Sequence, residues 1–167
     1  MKSPEALFAT FEALGIPFVN HHHVPVFTVE ESETVTHTIA GAHTKNLFVK
    51  NRKGNYFLIT VPHHKKVDLN TLAKNLGAGR FSFASGDDLV AIMGVKPGSA
   101  TLLAYINESA RHVTCVLDET FLEHRQINCH PLTNDQTTTL AVEDLLRFLK
   151  HHGITVTPTA VPEKNAA

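Results

Sequence analysis

Residues 45–61, KNLFVKNRKGNYFLITV, carry the clearest local structural signal in this chain. Two apolar, β-prone runs, 46–50 and 56–61, flank the polar segment 51–55, which contains a glycine. Short β-prone runs separated by a few turn-forming residues are typical of a β-hairpin. The sequence therefore predicts a hairpin here, and the other elements are arranged around it.

The segments outside the hairpin combine helical and strand patterns without strict alternation. Capping residues and apolar spacing predict helices at 4–14, after 68, after 85 and at 142–151. Apolar β-prone runs predict strands at 16–20, 99–106, 112–117, 127–130 and 154–157. This order predicts an α+β (mixed α/β) fold with a mixed, mainly antiparallel sheet flanked by helices. One domain is expected over 1–157, with a flexible tail at 158–167.

Length and charge limit the classes of function. A chain of 167 residues suits one domain. Fifteen Lys plus Arg against sixteen Asp plus Glu give a formal charge of -1, which provides no global field for nonspecific nucleic-acid binding. Without a signal-like N-terminus or an 18-residue apolar run, no membrane association is expected. Two cysteines outside any Cys-x-x-Cys pair suit a reducing compartment, so we expect a cytoplasmic protein.

Several catalytic classes lack their sequence signals. The twelve histidines include adjacent groups at 21–23, 63–64 and 151–152, which point in different directions and are typical of solvated surface, so no metal site is expected. Cys129 and His130 are neighbours on a predicted strand and face apart, which disfavours a thiol nucleophile. No Gly-x-Ser-x-Gly elbow or Gly-Lys-Ser/Thr phosphate loop occurs.

The remaining candidates for functional residues are basic side chains near the predicted turns. They could face one cleft, although scattered surface charge explains them equally well: Lys45, Lys50, Lys65, Lys66, Arg80 and Lys96. Lys45 stands out because it follows His43 and Thr44 and precedes Asn46 at the start of an apolar strand. An ammonium beside an amide could fix a phosphate and a carbonyl.

Six sequence blocks in register carry a resemblance to a known family. They are HTKNLF (43–48), VDL (67–69), GAGRFSF (77–83), GVKPGS (94–99), IN (106–107) and HPLTND (130–135). Together they resemble the YbaK and prolyl-tRNA-synthetase-associated domain family, and most of all its free-standing ProX type, which deacylates alanyl-tRNA for proline. The likeness runs from about residue 3 to 157.

The resemblance implies an aminoacyl-tRNA hydrolase with a mixed sheet around a cleft, without metal or organic cofactor. Lys45 would be the catalytic residue, holding the terminal phosphate and orienting the ester. The implied and predicted substrate-binding residues are Asn46, Gly94, Pro97, Gly98, Ser99, Cys129 and His130. A water, activated with help from the ribose 2′-hydroxyl, would attack the ester.

Contacts to RNA are expected outside the pocket. Arg80 resembles a family position implicated in acceptor-stem contact, and Lys50, Lys65 and Lys66 are predicted from their placement to meet the RNA backbone. The expected partners are the acceptor end of tRNA(Pro) and, as an accessory, prolyl-tRNA synthetase, with no DNA. The acidic segment 27–36 is expected to be a mobile lid.

Two departures from the family pattern leave the substrate open. Gly94 to Pro97 is one residue shorter than the Gly-x-x-x-Pro of many members, and Cys129 stands where bulkier apolar residues are familiar. The substrate could therefore be another mischarged tRNA, such as Cys-tRNA(Pro) or a serine or threonine type. Two competing hypotheses are a Cys129 thiol hydrolase and a non-catalytic RNA-binding or synthetase-associated module.

Overall fold

The computed structural model describes residues 1–165. Its α-helices are α1 (Pro4–Ala13), α2 (Val29–Thr38), α3 (Leu69–Asn75), α4 (Gly86–Asp88) and α5 (Val142–His151). A π-helical turn, Leu89–Met93, continues α4, and short 3-10 helices occupy Leu102–Ile106, Glu108–Ala110 and Glu119–Glu123. None of the helices in the described part is long and apolar enough to cross a membrane.

The strands form one mixed sheet. They are β1 (Phe18–His22), β2 (Ala42–Lys50), β3 (Tyr56–Pro62), β4 (Ser82–Phe83), β5 (Thr114–Asp118), β6 (Gln126–Cys129), β7 (Gln136–Ala141) and β8 (Val156–Thr159). Their order across the sheet is β1-β7-β6-β2-β3-β5-β8, with β4 paired to β2. The β1·β7, β2·β3, β2·β4 and β6·β7 pairs are antiparallel, whereas β2·β6, β3·β5 and β5·β8 are parallel. The predicted mixed α/β fold class is confirmed.

The predicted hairpin is the centre of this sheet. Strands β2 and β3 pair from Thr44 opposite Pro62 to Lys50 opposite Tyr56. The side-chain oxygen of Asn51 closes the turn, because it accepts hydrogen bonds from the backbone N–H groups of Lys53 (3.1 Å) and Asn55 (2.9 Å). The local sequence is therefore sufficient to set both strands and their connection.

Strand β2 is paired along its other edge only at its two ends. Ala42 and His43 lie beside β6, and Val49 and Lys50 lie beside β4. Between these contacts β6 and β4 diverge, so in the described structure the middle of β2 has no neighbouring strand on that side. The sheet opens there into a cleft.

The helices cover the sheet and build its larger apolar core. Ser3 caps α1 by accepting from the backbone N–H of Ala6, as the sequence predicted. Phe11 of α1 meets Phe148 of α5 edge-on, with ring centroids 5.3 Å apart. A second apolar cluster, which includes Val67 and Val161, lies under α3.

Residues 99–106 do not form the predicted strand. All five residues of Leu102–Ile106 are buried, and they form a 3-10 helix capped by the Thr101 hydroxyl. Tyr105 is fully buried, and its hydroxyl donates to the carbonyl of Val113 at 3.0 Å. An unbroken apolar run gives no periodicity that separates a buried strand from a buried helical segment, which explains the error.

Strand β7 was not predicted, and the part of the tail that the structure describes makes contacts that the sequence did not indicate. The threonines of β7 are β-prone but polar, so they gave no apolar signal. The tail continues β8 to Thr159 and then pairs Glu163 with Val67. Burial of Val161, which is 4% exposed, anchors this segment. Residues 166–167 of the predicted tail lie outside the described residues.

Two glycines provide a test of how the end of the π-helical turn packs. Gly94 (φ 70°) and Gly77 (φ 65°) are both left-handed, but a Cβ on Gly94 would lie 2.6 Å from Nδ2 of Asn107, whereas one on Gly77 meets nothing within 4 Å. Left-handed strain costs about 1–2 kcal/mol in either case. We expect Gly94→Ala to lower the free energy of unfolding by at least about 1 kcal/mol more than Gly77→Ala, because it also disturbs a buried hydrogen-bonded amide.

Urea denaturation of both variants measures this difference. Equal losses of stability would contradict the close packing of Gly94 against Asn107.

Candidate active site

A cavity of about 380 Å³ fills the opening beside β2. Most of its wall comes from five stretches of chain that are far apart in sequence. They are the segment leading into α2 and its first turns, strand β2, the connection from β4 to α4, the turn before the buried 3-10 helix, and the end of β6. His63, just after β3, and Thr137 of β7 complete the lining. A single concave site of this size suits a small-molecule group.

Lys45 lies on the wall of this cavity. Its side chain is half-buried, and Nζ donates a hydrogen bond to the backbone carbonyl of Lys65. Burial lowers the pKa of Lys45, an effect that the charge of Glu163 opposes and that of Lys66 reinforces. The ammonium is therefore held in a defined place rather than free in solvent.

Asn46 also lines the cavity, but its side chain is committed to the sheet. Its Oδ1 accepts from the hydroxyl of Thr60 at 2.6 Å. The bond from the N–H of His63 to the carbonyl of His43 fixes the alternation of the ladder, so the backbone N–H and C=O of Asn46 point away from β3. That direction is the cavity, which makes the main chain of Asn46 the group available to a ligand.

His130 and Cys129 form the wall at the end of β6. The Nδ1 of His130 bonds the carbonyl of Gln136 at 3.0 Å and must therefore be the protonated nitrogen. Burial lowers the pKa of His130, so the ring is neutral at neutral pH and Nε2 is a hydrogen-bond acceptor. Cys129 is 2% exposed, and burial raises its pKa to about 12.

The loop 94–99 reaches the cavity only in part. Pro97 and Gly98 line it, and Gly98 (φ 89°) leaves room for the ring of Phe27 from the opposite wall. Gly94 and Ser99 are not among the lining residues. Gly94 ends the π-helical turn and packs on Asn107, and the N–H of Ser99 closes a turn onto the carbonyl of Lys96. Both support the loop.

Three residues of the wall were missed or misread from the sequence. His63 was interpreted as solvated surface, yet it lines the cavity with His43, and burial lowers the pKa of both rings. Asn128 is 2% exposed and donates from Nδ2 to the carbonyl of Ala40 at 3.0 Å. The hydrophobic pattern of a sequence does not mark residues that face a cleft. Their place on the cavity wall is therefore visible only in the folded structure.

The segment predicted as a lid forms one side of the cavity. Phe27, Ser32 and Val35 are among its lining residues. The chain just before it is tied to the loop after β6, because Asn134 donates from Nδ2 to the carbonyl of Val26 at 2.8 Å. Movement of this segment stays a prediction.

Residues 23–148 match the family model described as "Aminoacyl-tRNA editing domain". The chain belongs to this family. It is 40% identical over 153 residues to the bovine (Bos taurus) prolyl-tRNA synthetase associated domain-containing protein 1, covering 89% of each chain. It is 30% identical over 156 residues to the prolyl-tRNA editing protein ProX of Acetoanaerobium sticklandii, covering 93% of this chain and 95% of ProX.

A solved structure described as a proposed trans-editing enzyme for prolyl tRNA synthetase has the same fold. Its TM-score is 0.67 at 18% identity, and the match covers 95% of this chain and 97% of that one. Family membership confirms the predicted class of enzyme, an aminoacyl-tRNA hydrolase with a tRNA substrate.

The basic residues predicted to contact RNA separate into different environments in this editing domain. Lys50 and Arg80 line a second cavity of about 380 Å³ beside the hairpin turn, with Arg52. Lys66 is exposed. Lys65 is bound through Nζ to Oδ2 of buried Asp118 at 2.7 Å, so its ammonium already has a partner, and its contact with RNA stays a prediction. No three potential metal-ligating side chains come together among residues 1–165.

A thiol mechanism would require a reactive cysteine, and the environment of both thiols disfavours one. Cys115 and Cys129 are both buried, and burial raises the pKa of each to about 12, so the thiolate fraction at pH 7.5 is negligible.

We expect iodoacetamide to leave the native protein unmodified and fully active, whereas the urea-unfolded protein takes up two labels. Mass spectrometry together with a deacylation assay measures both; rapid native labelling of Cys129 with loss of activity would restore the thiol mechanism.

Proposed function

We propose that this editing domain hydrolyses mischarged Ala-tRNA(Pro) in trans. The observation that carries the proposal is the composition of one small cavity, which combines the Lys45 ammonium, the neutral ring of His130 and the Pro97–Gly98 turn. Two further facts support it: similarity to a protein named as a prolyl-tRNA editing protein, and similarity to proteins named as prolyl-tRNA synthetase associated.

The chemistry needs placement and charge more than a strong base. An aminoacyl ester is already activated, so water can attack its carbonyl carbon if the tetrahedral oxyanion is stabilised. In our proposal Lys45 holds the phosphate of the terminal nucleotide and orients the ester. The backbone N–H groups of Asn46 and Gly98 donate toward the carbonyl oxygen. One such donor contributes about 3 kcal/mol to the transition state.

The proton balance is completed by the substrate. The ribose 2′-hydroxyl accepts a proton from the attacking water and passes its own proton to the 3′-oxygen. The bond from the carbonyl carbon to the 3′-oxygen then breaks, and that oxygen leaves as a neutral hydroxyl. The free amino acid and the intact tRNA are the products. His130 offers Nε2 as a neutral acceptor for the α-ammonium group of the amino acid.

Selection against the correct amino acid follows from size. The walls at Cys129, Pro97 and Phe27 bound the space for the side chain. Apolar fit distinguishes one methylene by only about 1–3 kcal/mol, so rejection of the larger proline ring has to be steric. The small thiol of Cys129 leaves room beside an alanine methyl group, and Cys-tRNA(Pro) is therefore the second substrate to assay.

The acceptor end of tRNA(Pro) is the proposed macromolecular ligand, with prolyl-tRNA synthetase as an accessory partner in the cytoplasm. Lys50 and Arg80 lie together beside the hairpin turn, where β4 separates their cavity from the Lys45 cavity. An acceptor stem whose 3′ end enters the Lys45 cavity can place backbone phosphates against these two cations.

The first test is deacylation of purified charged tRNAs. We expect the protein to release alanine from Ala-tRNA(Pro) at least about 100-fold faster than proline from Pro-tRNA(Pro), because a steric clash excludes the ring from the productive pose. Lys45→Ala should abolish release, because the charge that orients the ester is lost, while far-UV circular dichroism stays unchanged. Lys53→Ala, an exposed lysine in the hairpin turn, is the matched control and should keep full activity.

Hydrolysis by Lys45→Ala at the wild-type rate would contradict the role of Lys45. Preferential release of cysteine would redirect the substrate assignment without changing the mechanism.

A second test concerns the cavity beside the hairpin turn. We expect Lys50→Ala and Arg80→Ala to raise KM for full-length Ala-tRNA(Pro) about 5- to 10-fold, because each removes one phosphate contact, and to leave kcat unchanged. The same variants should act normally on a short alanylated oligonucleotide that carries only the single-stranded 3′ end. Steady-state kinetics at two salt concentrations measures the effect. Equal changes in KM for both substrates would contradict a contact between these two residues and the acceptor stem, which the oligonucleotide lacks.

A further inference from the structure

Lys65 connects the proposed catalytic lysine to a buried carboxylate. It lies in the turn that follows β3, where its backbone carbonyl accepts the hydrogen bond from Nζ of Lys45. Its own ammonium binds Oδ2 of Asp118 at 2.7 Å. The two ends of a single residue thus link Asp118 to Lys45.

The carboxylate of Asp118 is rigidly held. Its side chain is 1% exposed, against 16% for Lys65. Its second oxygen, Oδ1, accepts from both the backbone N–H and the hydroxyl of Thr120, each at 3.0 Å. Asp118 ends β5, which is itself fixed between β3 and β8. A buried ion pair adds little net stability, but breaking it is costly because it leaves an unpaired buried charge. Such a pair is therefore suited to holding the turn after β3 in one position.

The other side of the same turn is held by the C-terminal segment. The N–H of Lys164 donates to the carbonyl of Lys66 at 2.8 Å, and the N–H of Asp68 donates to the carbonyl of Pro162 at 2.9 Å. Val161 packs in the same apolar cluster as Val67. The turn that presents the Lys65 carbonyl is therefore clamped from two directions.

We propose that the Lys65–Asp118 ion pair is a positioning device that fixes the Lys65 carbonyl and thereby sets the place of the Lys45 ammonium on the cavity wall. The inference rests on the proposed function, in which Lys45 orients the ester. Neither Lys65 nor Asp118 is among the residues that line the cavity. They act through Lys45 alone.

If the turn after β3 loosens, the pKa of Lys45 should change, because burial and nearby charged groups set that pKa. Glu163 and Lys66 act on Lys45 with opposite sign, and the His63 ring is near enough for the Lys45 charge to lower its pKa. Burial is the largest cause of the lowered pKa of Lys45. If the turn relaxes and water reaches the ammonium, the pKa of Lys45 rises toward that of an exposed lysine.

The test begins with Asp118→Asn in the full-length chain. The amide oxygen can still accept both Thr120 bonds, so the substitution removes the charge that binds Lys65 with little other change. We expect kcat for Ala-tRNA(Pro) to fall about 10- to 100-fold with KM within about twofold of wild type, because misplacement affects the transition state more than binding. Asp144→Asn, which removes a partly exposed ion pair with Arg147 on α5, is the matched control and should leave both constants unchanged.

Lys65 provides the second variant and the rescue. Lys65→Met should reproduce the loss in kcat, whereas Lys65→Arg keeps the ion pair with Asp118 and should recover most of the activity. Urea unfolding of each variant shows which ones are folded, and Lys65→Met carries the test if Asp118→Asn does not fold. Wild-type kcat in folded Lys65→Met would overturn the proposal.

A purely structural ion pair would not change Lys45 itself, so the deciding readout is its titration. Protein labelled with [ε-13C]lysine gives one resonance per lysine, and Lys45 is assigned by its loss in Lys45→Arg. We expect the pKa of Lys45 to rise in Asp118→Asn and in Lys65→Met, and to stay at the wild-type value in Asp144→Asn. An unchanged titration of Lys45 in the folded variants would overturn the positioning role.

This readout needs no substrate, so the two proposals fail in different ways. Wild-type protein that leaves Ala-tRNA(Pro) intact would refute the proposed substrate, while the Lys45 titration would still decide whether the ion pair positions that ammonium.

Discussion

The site depends on a break in the hydrogen bonding of one strand. β2 lies beside β6 at His43 and beside β4 at Val49, and between these points the neighbouring strands diverge. Buried backbone groups need partners, so an unpaired stretch of strand is costly unless it faces water or a ligand. The divergence therefore creates a cavity and, at Asn46, also provides a free backbone donor and acceptor within it.

The chemistry of the cavity follows from the same opening. Side chains at the strand edge are half-buried, which holds the ammonium of Lys45 in place and keeps His130 neutral. The same burial raises the pKa of Cys129 to about 12, so the thiol contributes volume rather than reactivity. A site of this kind offers charge, backbone dipoles and shape. An activated ester needs little more, which fits the aminoacyl-tRNA hydrolases of this family.

Elements remote in sequence hold the turn that contacts Lys45 in position. The turn that binds Lys45 is attached to Asp118 on β5 and to the C-terminal segment at Glu163. Both attachments lie outside the cavity, and neither belongs to the motif around Lys45. Precision at one ammonium thus depends on packing across several strands, which links the stability of the sheet to the geometry of the site.

Local sequence patterns were enough to predict the β2–β3 hairpin and most of the helices, and six blocks in register, through their resemblance to a known family, predicted the class of enzyme. The hairpin and the helices follow from local turn chemistry and capping, which act within a few neighbours along the chain, whereas the enzyme class rests on the family resemblance. Only the assembled fold decided that 102–106 form a 3-10 helix, that the tail is paired, that His63 lines the cavity and that Lys65 forms an ion pair with Asp118. Each of these depends on which distant group becomes the partner of a buried backbone or charge, and that choice is made only when the strands assemble.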